Sequence, residues 1–273
     1  MPSFAPLSSG RAVSGRALAV ALLSFHLAFT GSAVALPRLD VPYVPTPPDV
    51  VDRMLEMAEV QPDDRQIDLG SGAGRIVIAA VRDWGVSDAL GIDLDAERVA
   101  EAEENARQAG VEDRAIFEQG DLFEKNFSDA TVLTMYLLSS VNYRLKPVIL
   151  DTMAPGTRIV SHAFDMEDWE PDQFDIVGGS SVYLWIVPAK VAGNWQLTAA
   201  DGSELTLVLE QINQQIEGTV IDGERNVPLG EASLRGDEIR FSVGPEHYVG
   251  KVDGDSIVPQ EGSASQDWHA RRI

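Results

Sequence analysis

The chain has 273 residues, 44% of them hydrophobic, enough for one full domain and a smaller companion. Its 43 acidic residues outnumber 21 lysines and arginines, and the resulting net charge of −22 repels nucleic acid and anionic lipid and argues against a role on either. There is no cysteine, which excludes a disulfide framework, a thiolate metal site and a thiol nucleophile.

An acidic surface attracts a basic protein or an amine, although a solubility or high-salt adaptation is the simpler account of it. At the N-terminus, Arg11 and Arg16 precede the apolar run from Ala17 to Phe29, and small residues follow from Gly31 to Ala35. That order predicts a signal peptide over residues 1–35, cleaved after Ala35, and an exported protein, periplasmic or secreted. Left uncleaved, the same segment would be a membrane anchor with the body of the protein outside the cytoplasm.

Residues 41–49 read as an extended, proline-stiffened entry. Thr46 is placed as a helix N-cap and Pro47 as the first helical residue, with Val50, Met54, Met57 and Ala58 following at helical spacing. A strand then ends at Asp68-Leu69. Gly70, Gly72 and Gly74 alternate through a turn before Arg75 to Ala80 opens a helix. Without a Cβ in the way, such a turn lets a ligand approach the backbone closely. A second strand ends in Asp93, where a doubly wound sheet places a ribose-binding carboxylate.

Glu97 to Ala109 reads as a helix with Val99, Ala102 and Ala106 inward and Gly110 as its stop. Ala115 to Gln119 is the third strand, and Asp121 beyond it can accept a hydrogen bond from an exocyclic amine. Together these features describe a pocket for an adenosine that carries an amino-acid tail.

Ala130 to Tyr136 is the fourth strand, followed by a loop to Asn142, a helix from Leu145 to Met153 and a fifth strand from Gly156 to Ser161. Phe174 to Val177 and Ser181 to Val187 supply the last two strands. This alternation predicts an α/β fold over residues 36–190: Rossmann-like, doubly wound, with a mostly parallel seven-stranded sheet. Short alternating segments punctuated by Asp201-Gly202, Asp222-Gly223 and Asp253-Gly254 then predict a small antiparallel β domain over residues 191–273, a barrel or open sandwich. Trp195 and Trp268 bracket it.

The glycine loop, Asp93 and Asp121, in that order, resemble the class I S-adenosylmethionine-dependent methyltransferases. A dinucleotide site would need the spacing G-x-G-x-x-G, which the loop does not have. The phrase Tyr43-Val44-Pro45-Thr46-Pro47 narrows the resemblance to a bacterial relative of the FAM173-type protein-lysine methyltransferases, whose loop reads D-L-G-S-G-D-G-R; here Ala73 replaces the second Asp. The resemblance implies S-adenosylmethionine as cofactor. It implies a site formed by Thr46, Asp68, Gly70, Ser71, Gly72, Gly74, Asp93, Leu94, Asp121 and Leu122. The glycines would lie under the methionine part, Asp93 would hold the ribose, and Asp121 with Leu122 would meet the adenine.

Candidate catalytic residues lie where the fourth and fifth strands end: Tyr136 and Asn142 at the acceptor position of related enzymes, and Asp165 to orient an ammonium or take its proton. His162 reads as a satisfied structural histidine. The acceptor would be a protein lysine or another amine, with no nucleic acid partner. No metal-ligand spacing appears among the four histidines. The alternative from another class is an exported binding module that keeps the fold without turnover. An export signal stands in tension with a cofactor made in the cytoplasm.

Overall fold

The computed structural model describes residues 43–273, so the signal segment expected over residues 1–35 lies outside the described residues. The chain enters through helix α1 (Pro48–Met57), which buries Val50, Val51, Met54 and Leu55. There follow β1 (Arg65–Leu69), α2 (Arg75–Trp84), β2 (Asp88–Asp93), α3 (Ala96–Ala109) and β3 (Ala115–Gln119). Next come β4 (Val132–Met135), α4 (Ser139–Thr152), β5 (Arg158–His162), β6 (Gln173–Val177) and β7 (Ser180–Ile186). These strands make a seven-stranded sheet in the order β3-β2-β1-β4-β5-β7-β6. β7 pairs antiparallel with both neighbours, and the other pairings are parallel.

The two faces of this sheet are covered differently. Helices α1, α2 and α3 pack on one face with Val77, Ala80, Val132, Val160 and Val182. On the other, α4 is the one helix among the described residues; residues 121–131 and 163–172, which link β3 to β4 and β5 to β6, are not helical. Phe127 and Trp169 fill the core beneath those links, Trp169 against Trp185 with ring centroids 6.1 Å apart.

Two expectations need correction. α4 begins at Ser139, six residues before the helix read from the sequence, because Val141, Leu145 and Ile149 form a buried stripe at four-residue spacing. Pro147 sits inside the helix on its exposed side. Thr46 does not cap α1: Pro47 holds the N-cap position with no side-chain cap bond. With the helix starting one residue later than expected, Thr46 turns inward and is buried.

The remaining strands form a second sheet. They are β8 (Gly193–Thr198), β9 (Glu204–Ile212), β10 (Gln215–Asp222), β11 (Arg225–Pro228), β12 (Gly230–Arg235), β13 (Glu238–Val243), β14 (Glu246–Asp253), β15 (Ser256–Pro259) and β16 (His269–Arg272). All pair antiparallel in the order β11-β10-β9-β8-β16-β15-β14-β13-β12. The Leu229 N–H donates to the Gly218 carbonyl at 2.9 Å, bringing the two ends of the sheet together into a nearly closed barrel. Trp195 and Trp268 are buried inside it, and the Trp268 ring stands edge-on to Phe241 and Tyr248.

A short link joins the sheets and is held firmly. The Gln211 side chain accepts from the Val191 N–H at 2.7 Å and donates to the Ala189 carbonyl at 2.8 Å. The turn between β9 and β10 reaches the link that follows β5: Asn213 and Gln214 donate to the carbonyls of Asp168 and Glu170.

Candidate cofactor and active site

Strand order reverses between β1 and β4, and a doubly wound sheet opens its ligand crevice at that point, outside the carboxyl ends of the strands. A cleft with about 1070 Å³ of unfilled space, its mouth included, lies there. The glycine loop after β1, the ends of β2, β3 and β4, and the entry segment from Tyr43 to Thr46 form its walls.

The loop is shaped by close approach. Gly72 has φ +52°, and a Cβ there would stand 2.3 Å from the Tyr43 ring. Gly74 takes the N-cap position of α2 with φ +81°, where a Cβ would meet the Phe117 ring at 2.6 Å. A side chain at either position would both strain the backbone and displace an aromatic neighbour. Asp93 braces the loop from β2: its Oδ2 accepts the Gly72 N–H at 2.7 Å, and its Oδ1 accepts the Asp95 N–H at 2.9 Å. A carboxylate oxygen accepts two hydrogen bonds, so each retains capacity for a ligand hydroxyl.

Asp68, at 2% exposure, lies deeper in the cleft. Its Oδ1 accepts the Thr134 hydroxyl at 2.7 Å. Burial pushes its carboxyl up to about 7, with the Asp93 charge adding and the Thr134 bond opposing. Ser71 lines the cleft with its hydroxyl buried and without a protein partner, an orphaned polar atom of the kind a polar ligand satisfies. At the far end Asp121 accepts the Phe123 N–H at 2.9 Å, with Leu122 and Leu94 supplying apolar wall. Carboxylates spaced along an apolar cleft and the orphaned hydroxyl fit a ligand with ribose, adenine and amino-acid parts.

Of the expected catalytic residues, Tyr136 alone lines the cleft. Its ring packs at a tilt against His162, 3.8 Å between centroids, and stacks with Phe164 at 6.1 Å. His162, whose imidazole burial shifts below its ordinary value and so toward the neutral form, shares a 3.2 Å hydrogen bond between its Nδ1 and the Thr46 hydroxyl. Asn142 is not on a loop. The early start of α4 turns it into the interior, where its amide donates to the carbonyls of Phe164 and Asp165 and to the Ser161 hydroxyl. Asp165 lies on the turn after β5, outside the cleft lining, and accepts the Glu167 N–H.

Sequence reasoning passed over three contributors. Arg75 donates from Nη1 to the Thr46 carbonyl at 2.7 Å and so ties the entry segment to α2. Arg98 on α3 lies 4.9 Å over the Tyr43 ring. Thr134 supports Asp68 from β4; its signal was a lone hydroxyl in the apolar run Val-Leu-Thr-Met.

Comparison with known proteins agrees with this geometry. Residues 68–173 match the family model described as the ANTKMT methyltransferase domain. A protein-lysine N-methyltransferase of Saccharolobus islandicus is 46% identical over 151 residues, covering 54% of this chain and 94% of that protein. An adenine nucleotide translocase lysine N-methyltransferase of mouse is 30% identical over 64% of this chain and 75% of its own length. A crystal structure titled as an RNA methyltransferase from Salinibacter ruber, in complex with S-adenosyl-L-homocysteine, is 51% identical with a TM-score of 0.53. It covers 54% of this chain and 96% of that one. The chain therefore belongs to this family of class I S-adenosylmethionine-dependent methyltransferases, related to the FAM173-type enzymes.

Proposed function

We propose that this methyltransferase acts on a protein lysine, or on an amine of the same chemistry, with no nucleic acid partner. The observation that carries the reading is the 46% identity to a protein-lysine N-methyltransferase along 94% of that protein's length. The name of the Salinibacter relative points instead to RNA. Charge favours the lysine: a molecule with net charge −22 repels a phosphodiester chain and attracts an ammonium.

S-adenosylmethionine supplies a methyl group on a sulfonium, an excellent leaving group, so the chain's task is to position the partners and exclude water. In this reading Asp93 holds the ribose hydroxyls, Asp121 with Leu122 and Leu94 the adenine, and Gly70 and Ser71 pass beneath the methionine part. Gly72 and Gly74 do not line the cleft and shape the turn against Tyr43 and Phe117. Thr46 and Asp68 close the site around the amino-acid tail. Tyr136, on the cleft wall, orients the acceptor nitrogen, which must be uncharged to attack. Asn142 supports that wall from behind through the turn at 164–165.

The test is to incubate the full chain with S-adenosylmethionine and two acceptor pools, soluble protein and total RNA, and read methylation by mass spectrometry. Methyl-lysine in protein with unmodified RNA is the expected result. Methylated nucleotides without methyl-lysine would overturn the reading.

A further inference from the structure

Asp68 is served by a chain of hydrogen bonds that runs one way, from Gln66 through Thr134, while its carboxyl is ionised. Gln66 and Asp68 lie two residues apart on β1 and face the same side, and Thr134 stands opposite Asp68 on the neighbouring β4. The Gln66 amide Nε2 donates to Thr134 Oγ1 at 2.8 Å. The Thr134 hydroxyl has one proton, and with an incoming donor on its oxygen that proton goes to Asp68 Oδ1 at 2.7 Å. All three side chains are buried, Gln66 and Thr134 completely.

We propose that Thr134 and Gln66 are positioning residues for the methyltransferase site: their one-way chain ties Asp68 Oδ1 to the sheet and gives Oδ2 to the cleft as an acceptor for the cationic group of the cofactor's amino-acid tail. Neither residue lines the cleft; both act through Asp68. The inference rests on the reading of this cleft as the cofactor pocket.

The physical reason for such a chain is the cost of keeping a carboxylate charged in this place. Burial and the Asp93 charge both favour the protonated carboxyl, and the Thr134 bond opposes them. The other titratable groups around the cleft are Arg75 on α2, Asp95 after β2, Arg98 on α3, Asp121 after β3, and Tyr43 and Tyr136. The charge that raises the Asp68 carboxyl is that of Asp93. Thr134 is thus the group that holds Asp68 ready to accept from an ammonium. Gln66 removes the alternative in which the hydroxyl rotates away, since that would face one donor with another. Its own Oε1 is buried without a partner, so the residue gives up a hydrogen bond to supply this donor.

The experiment is calorimetric titration of the full chain with S-adenosylhomocysteine from pH 5.5 to 8.5, comparing wild type with Thr134→Val, Thr134→Ser and Gln66→Leu. For wild type the affinity should fall about tenfold per pH unit once Asp68 is protonated. Thr134→Val should move that midpoint to higher pH and weaken binding at least fivefold at pH 7. Thr134→Ser, which keeps the hydroxyl, should restore the wild-type profile, and Gln66→Leu should fall between them. A purely structural role would lower the melting temperature of Thr134→Val and leave its midpoint where wild type has it; that result would overturn the inference. Wild-type protein that is folded but binds no S-adenosylhomocysteine at any pH would overturn the pocket reading itself, and the inference with it.

Discussion

The Thr46 hydroxyl meets the His162 imidazole at 3.2 Å although 116 residues separate them in the chain, and both side chains are buried. This contact fastens the entry segment to the end of β5. Arg75 holds the same residue by its carbonyl, and Tyr43 lies on Gly72 four residues from the Pro47 cap of α1. One wall of the cleft is therefore a strand of irregular chain held in place by side chains.

Replacing Thr46 by Val keeps the shape and removes the hydroxyl. The expected stability loss is about 1 kcal/mol, the net worth of one neutral hydrogen bond with a buried partner. A looser entry segment should release S-adenosylhomocysteine faster, by roughly fivefold, equal to a similar energy. Stopped-flow displacement measures the release rate and chemical denaturation the stability.

His162 gives a pH prediction. Burial lowers its pKa below the ordinary 6.5, so below that pH the unfolded chain takes up a proton that the folded protein refuses. Stability contributed by neutral His162 is present above pH 6.5 and declines as the pH drops through that value. His162→Gln should flatten this part of the stability profile. Melting temperatures recorded between pH 5 and 8 decide it; equal slopes in the two proteins would refute it.

Asp68 predicts the opposite slope. Its carboxyl is raised from 3.8 to about 7, so the folded protein keeps a proton there that the unfolded chain has lost. The ligand-free protein should lose stability as pH rises from about 4 to 7, by at most ~1.4 kcal/mol per pH unit, and then level off. Asp68→Asn should melt higher than wild type at pH 8, close to it at pH 4, and bind S-adenosylhomocysteine poorly at both. Stability would thus be gained where binding is lost.

Gly72→Ala should act mainly on binding. The left-handed backbone costs an alanine about 1 kcal/mol. The larger effect is the 2.3 Å clash with Tyr43, which must swing off the loop and open the cleft. A loss of S-adenosylhomocysteine affinity of tenfold or more with a small change in melting temperature is the expected pattern, measured by calorimetry and thermal denaturation.

Asn142 should behave as a structural residue. Asn142→Ala takes this donor from the part-buried Asp165 carbonyl, while the Phe164 carbonyl keeps the Ser161 hydroxyl, so the expected stability loss is about 1 kcal/mol. Denaturant titration should show that loss, and cofactor affinity should change less than twofold. A stable variant with normal folding and abolished methyl transfer would instead place Asn142 at the acceptor.

Much of this protein was fixed by local sequence. Apolar stripes set α2 and α3, Gly110 ends α3 in a left-handed cap, and the strands of the parallel sheet follow their apolar runs. The glycine loop, Asp93 and Asp121 were legible because a turn that approaches a ligand and an acid that ends a strand depend on neighbours in the chain. The tertiary structure decided what depends on distant partners. Whether Thr46 caps a helix or reaches His162 was settled by the position of β5, and whether Asn142 faces a ligand or the interior by where α4 packs. The chain from Gln66 through Thr134 to Asp68 exists only because β1 and β4 lie side by side. Periodicity reports which face of an element is buried; it does not carry the identity of the atom on the other side, and that atom sets the direction of a hydrogen bond and the charge of a buried acid.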